Sequence, residues 1–504
     1  MKLMRTCLKI NGKIFRGSGP VIRRCESGKR SISELKYVII LLLIFQICAC
    51  KKLVDVSAPI TSTTSAIVYS SDATAISVLT GLYTNMNFSA LTNPGIIPSL
   101  SLFAGLSADE LTLSPIGYTV PLNAYYTNSL ASTVSGYEYW STIYGYIFTC
   151  NSAIENLNAS MNVSSAVKQQ LVGEAKFMRA FCYFYLVNLY GDVPLVLSTD
   201  YKSNAGLARS PKANVYLQII SDLKDAQKLL SSSYVDATLL KTTTERVRPT
   251  KWAAMALLAR SYLYTENWMN AEAESDSIIN NTAQFSLDTL NGVFLKNSTE
   301  AIWQLQPVTT GTTNTQDAVL FIIPSAGPST LNPVYLSNNL VNSFEMGDNR
   351  KTNWIQSIKA GGQTYNYSYK YKVNARNASV TEYLMMLRLG EQFLIRSEAL
   401  AQQGKTLASI ADLNSIRNRA GLSNYLGATD KSSLLSAILH ERQTELFTEL
   451  GQRWLDIKRT GSVDGIMNIV TVQKGGLWNT NWQLYPIRIT ELQYDPELSQ
   501  NVGY

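Results

Sequence analysis

Apolar residues recur at helical spacing through much of the chain, and this pattern constrains the fold most. It is clearest in 164–190, where Ala175, Met178 and Cys182 are three and four residues apart. Side chains at these spacings share one face of an α-helix, so the segment predicts a long amphipathic helix. Comparable patterns cover 72–83 and 137–158. The body of the protein is therefore predicted to be mainly α.

Two further stretches predict pairs of adjoining helices. The pattern at 250–265 is followed after a short turn by one at 268–280, and the pattern at 382–403 is followed across Gly404 by one at 406–419. Small and aromatic residues occur where the two helices of a pair must approach closely. The predicted fold is a tetratricopeptide-like helical-repeat scaffold with long irregular loops and a few short strands.

Two long segments lack the helical period. Residues 93–135 are rich in proline, and 285–378 contain clusters of Gly, Pro, Asn and Thr. The second segment also holds short β-like runs at 301–305 and 318–323. Long irregular insertions on a regular scaffold are where binding sites tend to lie, so these segments are the first place to seek function.

The N-terminus has the features of a bacterial export signal. A 14-residue apolar run, 37–50, follows a basic stretch and ends at Cys50. A membrane-spanning helix needs about 20 apolar residues, whereas a signal peptide needs fewer. We predict a signal peptide at 1–49 and a lipidated Cys50 with a flexible tether over 50–71. The alternative is an uncleaved membrane-anchor helix.

The positive net charge belongs to this leader. Residues 1–50 carry ten Lys and Arg against two Glu, so the net charge of +7 leaves about −1 on the remainder. A nucleic-acid partner is therefore not indicated. His440 is the only histidine, which argues against His-based metal sites, and no metal or cofactor is predicted. Cys150 and Cys182 can form one disulfide or remain two buried thiols.

A row of carboxylates raises the possibility of an enzyme. Glu441, Glu445 and Glu449 follow one another at intervals of four, with several arginines nearby. A glycosidase needs two carboxylates on opposite sides of a glycosidic bond, whereas a row along one helix suits ion pairs between helices. We predict that these residues stabilise the scaffold and that the protein is not an enzyme.

Aromatic residues offer a better candidate site. Sugar rings stack on Trp and Tyr while their hydroxyls bond to neighbouring amides, and three loop regions combine the two. The alternative is that the alternating tyrosines line one face of a strand and that Trp482 is a core residue. The candidate ligand residues are Tyr118 and Tyr126 in the first region, Trp354, Tyr365, Tyr367 and Tyr369 in the second, and Trp478, Asn481 and Trp482 in the third.

An ordered series of motifs resembles one known family. It includes Gly173-Glu-Ala-Lys-Phe-Met-Arg-Ala near the middle, Leu387-Arg-Leu-Gly-Glu391 later, and Gly451-Gln-Arg-Trp-Leu-Asp456 near the end. In order and spacing these motifs are similar to those of the SusD/RagB family of outer-membrane nutrient-binding lipoproteins. The resemblance divides the mature chain into an N-terminal helical region, 72–284, and a C-terminal region, 285–504, that carries the ligand-loop insertion and the closing helices.

The resemblance implies a function as well as a fold. It implies a lipid-anchored protein on the outer surface of the outer membrane, which binds a glycan or another nutrient oligomer. Its expected partner is a TonB-dependent barrel transporter, to which the ligand is passed. Two alternatives remain: an all-α carbohydrate-active enzyme, and a tetratricopeptide-type scaffold that binds only proteins.

Overall fold

The computed structural model describes residues 65–87, 100–133, 139–308 and 314–504. All of them belong to one compact unit that spans Thr63–Tyr504. Cys50 and the predicted signal peptide lie outside the described residues, so lipidation remains a prediction. Within the described ranges, no helix is long and apolar enough to cross a membrane.

The first half of the described chain is built mainly from helices. A π-helical turn, Leu100–Ala104, and a 3-10 turn, Pro115–Gly117, interrupt the series. In chain order the elements are α1 (Ser65–Val68), α2 (Asp72–Met86), α3 (Gly105–Ser107), β1 (Leu111–Leu113), α4 (Val120–Tyr126), α5 (Trp140–Ala159), α6 (Ser165–Tyr190), α7 (Tyr201–Asn204), α8 (Lys212–Leu229), α9 (Lys251–Tyr264) and α10 (Trp268–Ile279).

Helix α6 is the centre of this half, packed between α5 and α8. Every side chain from Phe177 to Tyr190 is buried, so the helix is enclosed on all sides instead of presenting the single apolar stripe that its sequence predicts. Its buried Arg179 is neutralised by Asp222 of α8, 2.7 Å away. Gly191 ends the helix at a positive φ of 75°, which glycine adopts without steric cost.

The second half mixes helices with short strands. A second 3-10 turn, Thr480–Gln483, precedes the last helix. The elements are β2 (Ala301–Leu305), α11 (Gln316–Phe321), β3 (Val334–Leu336), α12 (Asn338–Ser343), α13 (Asn349–Asn353), β4 (Ile355–Ala360), β5 (Gln363–Ser368), β6 (Leu384–Arg388), α14 (Leu389–Gln402), α15 (Thr406–Arg419), α16 (Lys431–Leu446), α17 (Gln452–Arg459), α18 (Val463–Gln473) and α19 (Ile489–Tyr494).

The predicted repeat scaffold is confirmed. Helices α9 and α10 form one hairpin, α14 and α15 form a second, and α10 packs against α14. Gly404 turns the second hairpin with a φ of 75°. The hydroxyl of Ser397 in α14 donates to the carbonyl of Ser409 in α15 at 2.8 Å, a contact that requires small side chains where these two helices cross.

Two local predictions were wrong. The segment 382–403 is not one helix, because its first part is strand β6. This strand pairs with β2, and Leu387 lies opposite Trp303. The run 318–323 is largely helical, because the Thr315 side chain caps α11 by accepting a hydrogen bond from the Ala318 amide at 3.1 Å. In both segments most of the apolar residues are buried, so periodicity alone does not separate helix from strand.

The two cysteines are buried without forming a disulfide, and the histidine contacts a backbone carbonyl. Cys150 and Cys182 are both free and buried. Nε2 of His440 is 2.8 Å from the carbonyl oxygen of Ser343. Across the part of the chain that the structure describes, no group of three or more His, Cys, Asp or Glu side chains is arranged to hold a metal ion.

Candidate functional site

Strand pairing brings two of the predicted aromatic regions together. Strands β1 and β3 are antiparallel neighbours, with Thr112 opposite Tyr335, and β3 also contacts β5. The ring of Tyr335 meets the ring of Tyr365 edge to face, with centroids 5.2 Å apart. The Thr112 side chain lies beside the phenol of Tyr126 at the end of α4. Three tyrosines from distant segments therefore form one partly exposed cluster.

Amide side chains border this cluster. The side chain of Gln363 lies beside the Tyr335 phenol, and Nδ2 of Asn339 donates to Oε1 of Gln473 at 3.1 Å. All three amide side chains are exposed. Stacking rings beside exposed amides are what a sugar requires. We call this surface, formed by Tyr126, Tyr335, Tyr365, Gln363, Asn339 and Gln473, the tyrosine face.

Burial sets the protonation of two of these phenols. It raises the pKa of Tyr126 and of Tyr335 above the usual value for tyrosine, because the phenolate would lose part of its hydration. Both side chains therefore stay protonated at neutral pH. Each keeps a hydroxyl that can both donate and accept a hydrogen bond.

The ammonium group of Lys474 packs against the ring of Tyr126. Its Nζ lies 5.1 Å from the centroid of the Tyr126 ring and donates to the carbonyl of Leu106, 2.6 Å away, and to that of Ala108. Burial lowers the pKa of Lys474 to about 7. Both hydrogen bonds persist through this titration, because a neutral amine still has two N–H donors.

The remaining predicted tyrosines lie next to the tyrosine face. Tyr118 is 57% exposed. It follows Gly117, which packs so tightly against Pro333 that an added Cβ would lie 2.3 Å from the proline Cβ. Tyr367 is buried and Tyr369 half-buried, with their rings 6.2 Å apart. Tyr365 and Tyr367 lie two residues apart on β5, as the alternative interpretation expects, while Tyr369 lies just beyond its end.

Trp354 lies in the core, in contrast to the surface position that a ligand contact requires. It is 0% exposed, and its indole N–H donates to the Leu290 carbonyl at 2.7 Å. Its ring packs against Phe294 and Phe447, and the ammonium of Lys370 lies 4.8 Å from its centroid. With both ring faces enclosed, Trp354 is not part of the tyrosine face.

The third aromatic region is tied to the C-terminal part of the chain. The Trp478 indole donates to Asp464 at 2.7 Å, and the Trp482 indole donates to the Gly503 carbonyl at 3.4 Å. Asn481 packs on Gly503, where an added Cβ would lie 2.8 Å from the asparagine Cβ. All three side chains are partly exposed. The loop passes close to α4, since an added Cβ on Gly476 would lie 2.4 Å from the Thr127 carbonyl oxygen.

The row of carboxylates is held in a buried ion-pair network. Glu445 contacts Arg350 at 3.0 Å, Arg388 at 2.6 Å and also Arg419. Glu449 lies beyond the end of α16, not on the helix as predicted, and it pairs with Arg388 at 2.8 Å. These carboxylates have cationic partners and little exposure, so they stabilise the packing of helices and strands.

Sequence reasoning missed Tyr335, Asn339 and Gln473. Tyr335 lies in a three-residue strand, and the other two lie at the start of α12 and the end of α18. No local pattern distinguishes them from other surface residues. The pairing of β1 with β3, which are more than 200 residues apart in the chain, places Tyr335 beside Tyr126, and the hydrogen bond between Asn339 and Gln473 brings α12 and α18 together.

A helical-repeat scaffold with an exposed aromatic and amide surface defines a class of carbohydrate-binding proteins, and comparison with known proteins supports this class. A family model described as "Starch-binding associating with outer membrane" matches residues 116–263, and one described as "SusD family" matches residues 367–504. The chain belongs to the SusD/RagB family.

Individual relatives extend the match over nearly the whole chain. SusD-like protein P25 of Formosa agariphila is 24% identical, over 93% of this chain and 99% of its own. A SusD superfamily protein from Bacteroides vulgatus has the same fold, with a TM-score of 0.72 at 20% identity over 86% of this chain and 99% of its own. A laminarin-binding SusD-like protein superposes with a TM-score of 0.69 at 22% identity over 85% of this chain and 99% of its own.

Proposed function

We propose that the protein binds a glycan at the tyrosine face without cleaving it. The observation that carries this proposal is the meeting of Tyr126, Tyr335 and Tyr365, from three distant segments, beside exposed amides. Two differently oriented rings, 81° apart for Tyr335 and Tyr365, can each contact a different sugar unit of a curved or branched chain. Tyr118 follows Gly117, which packs on Pro333 next to β3, and Tyr369 lies just beyond the end of β5.

The charge and chemistry of the face favour a neutral glycan. Its bordering groups are amides and phenols, which bond to sugar hydroxyls, and Lys474 is occupied by two carbonyls below the surface. Laminarin is a reasonable first probe, since a structural neighbour binds it. Starch is the second, because it appears in the description of the matching family.

We further propose that the protein is anchored at the cell surface through a lipid on Cys50 and passes its ligand to a TonB-dependent barrel transporter. The apolar run that ends at Cys50 supports the anchor, and the family's association with the outer membrane supports the location. Crosslinking of the lipidated protein in its own membrane is expected to recover a barrel transporter. Recovery of other proteins alone would favour the protein-binding scaffold.

Binding without consumption is the first test. The compact unit begins at Thr63, so a soluble form that starts at Lys51 is expected to fold. It should bind at least one polysaccharide on an array that includes laminarin and starch, and chromatography should detect no shortened products after prolonged incubation. Release of oligosaccharides by the pure protein would contradict the proposal and favour the enzyme alternative.

Replacement of Cys50 tests the anchor. In the full-length protein, Cys50→Ala is expected to abolish incorporation of radiolabelled palmitate and to release the protein from the membrane fraction. Cys48→Ala is the matched control, because it removes a neighbouring thiol within the same apolar run and should leave labelling intact. Equal labelling of both variants would rule out Cys50 as the attachment point.

A further inference from the structure

The ammonium group of Lys474 has an unusual set of neighbours below the tyrosine face. Its Nζ donates to the carbonyl oxygens of Leu106 and Ala108, and the ring of Tyr126 is its third neighbour, with the centroid 5.1 Å away. A charged amine has three N–H groups, so two carbonyls and one ring account for all of them. The positive charge of Lys474 therefore acts directly on an aromatic ring that the glycan is proposed to contact.

Carboxylates influence Lys474 only through their charge. Asp109 and Glu110 lie near enough to favour its charged form, but in the described part of the chain neither forms an ion pair with it. Both carboxylates lie on the short segment between α3 and β1 and are buried. The charge of Lys474 is therefore not neutralised by a direct partner, and burial lowers its pKa to about 7.

Loss of one proton would change the contact between Lys474 and Tyr126. The charged amine is attracted to the electron-rich face of the ring. The neutral amine keeps its two remaining N–H groups for Leu106 and Ala108, so its lone pair is left to face the ring. A lone pair and the face of an aromatic ring are both electron-rich. Deprotonation therefore removes the attraction that holds Tyr126, while both hydrogen bonds to the backbone remain.

The other ionisable groups of this cluster keep their charge while Lys474 loses its proton at neutral pH. Burial alone would raise the pKa of Asp109, but Arg453 donates two hydrogen bonds of 2.8 Å to its carboxylate and holds the pKa below its usual value. Burial and the charge of Asp109 raise the pKa of Glu110 to about 8, so Glu110 loses its proton at a higher pH than Lys474. Tyr126 keeps its proton throughout, because burial raises its pKa.

We propose that glycan binding at the tyrosine face is coupled to the protonation of Lys474, and that the charged form binds more tightly. The proposal rests on the proposed function, since it concerns the same surface. A charged Lys474 holds the Tyr126 ring in place before the glycan arrives, so less freedom is lost on binding. Because such coupling is reciprocal, a bound glycan favours the charged form of Lys474 in turn.

Calorimetry of the soluble form from Lys51 tests the coupling, with laminarin or starch, whichever binds on the array. The Kd is expected to be about two- to fivefold higher at about pH 8.5 than at about pH 5.5, the size expected of one cation–π contact. Equal Kd values at both pH values would overturn the coupling and leave the proposed function intact. No binding at either pH would overturn both.

Two variants test whether the pH dependence passes through this contact. Lys474→Met removes the charge, and Tyr126→Leu removes the ring but leaves Lys474 and its two carbonyls in place. Each should bind more weakly than the wild type at about pH 5.5 and lose the pH dependence, since a cation and a ring are both needed for the attraction. A pH dependence that persists in both variants would overturn the proposal.

His440→Asn is the matched control. His440 is the only histidine of the chain, and histidine is the usual source of a pH dependence near neutrality. Its ring contacts the Ser343 carbonyl and is not part of the tyrosine face. The variant should keep the full difference in Kd between the two pH values. A difference that disappears in His440→Asn would assign the coupling to the histidine and contradict the role of Lys474.

Discussion

Tyr335→Ala is expected to weaken glycan binding by about 30-fold, or roughly 2 kcal/mol, the loss typical of a central aromatic contact. Tyr335 is the middle ring of the tyrosine face, because it contacts Tyr365 directly and lies opposite Thr112, which is next to Tyr126. Its removal deletes one stacking surface and frees Tyr365 to move. Calorimetry with the polysaccharide that the array identifies measures the change in Kd.

Two controls separate stacking from other effects. Tyr335→Phe keeps the ring and removes only the phenol hydroxyl, so binding should stay within about threefold of the wild type. Tyr201→Ala removes a tyrosine that is 74% exposed on α7 and should change nothing. A Tyr335→Ala protein that binds as tightly as the Tyr201→Ala protein would exclude the tyrosine face as the main site.

Arg388→Met is expected to lower the free energy of unfolding by about 3–5 kcal/mol, the cost of leaving buried charges without their partner. Arg388 bonds to Glu300 at 2.8 Å, to Glu445 at 2.6 Å and to Glu449 at 2.8 Å, and its side chain is 2% exposed. Methionine has a similar length and no charge. Three buried carboxylates would then share only the remaining cations of the network.

Urea denaturation of the soluble form measures this loss. Lys405→Met is the matched control, because Lys405 pairs with Glu272 at the surface with its side chain 49% exposed, and such pairs contribute at most about 1 kcal/mol. If the two variants unfold at the same urea concentration, the carboxylates of α16 and its following turn do not have the structural role assigned to them.

Acidification should weaken the same network. Burial alone would raise the pKa of Glu445, but the guanidinium groups of Arg419, Arg388 and Arg350 outweigh it and hold the pKa well below its usual range. A carboxyl whose pKa is lowered by folding stabilises the folded state above its unfolded pKa. This stabilisation is lost as the pH falls below about 4.3 towards the lower, folded value.

Local periodicity was sufficient for the helical scaffold. The pattern at 406–419 coincides with α15, and that at 164–190 with α6 to within one residue, because each helix has its own apolar period and a glycine at its end. It failed at 382–403, where the apolar residues of β6 are buried on both sides by β2 and the helices. A run that is apolar on both sides shows neither the helical period nor the alternation of a half-buried strand.

The candidate site was predictable only in part. Tyr126 and Tyr365 stand out as aromatic residues in polar loops, and the structure places both on one surface. Trp354 has the same local signal, yet Phe294 and Phe447 enclose it. Whether such an aromatic residue is exposed or enclosed depends on contacts between distant segments, and the local sequence does not show these contacts. Tyr335 reaches the surface through the same kind of contact.

The most direct test is a crystal structure of the soluble form with an oligosaccharide of the glycan that it binds. We predict sugar rings in van der Waals contact with Tyr335 and Tyr365, and sugar hydroxyls bonded to Gln363 or Asn339. A glycan bound elsewhere, with these tyrosines exposed to solvent, would contradict the assignment of the tyrosine face.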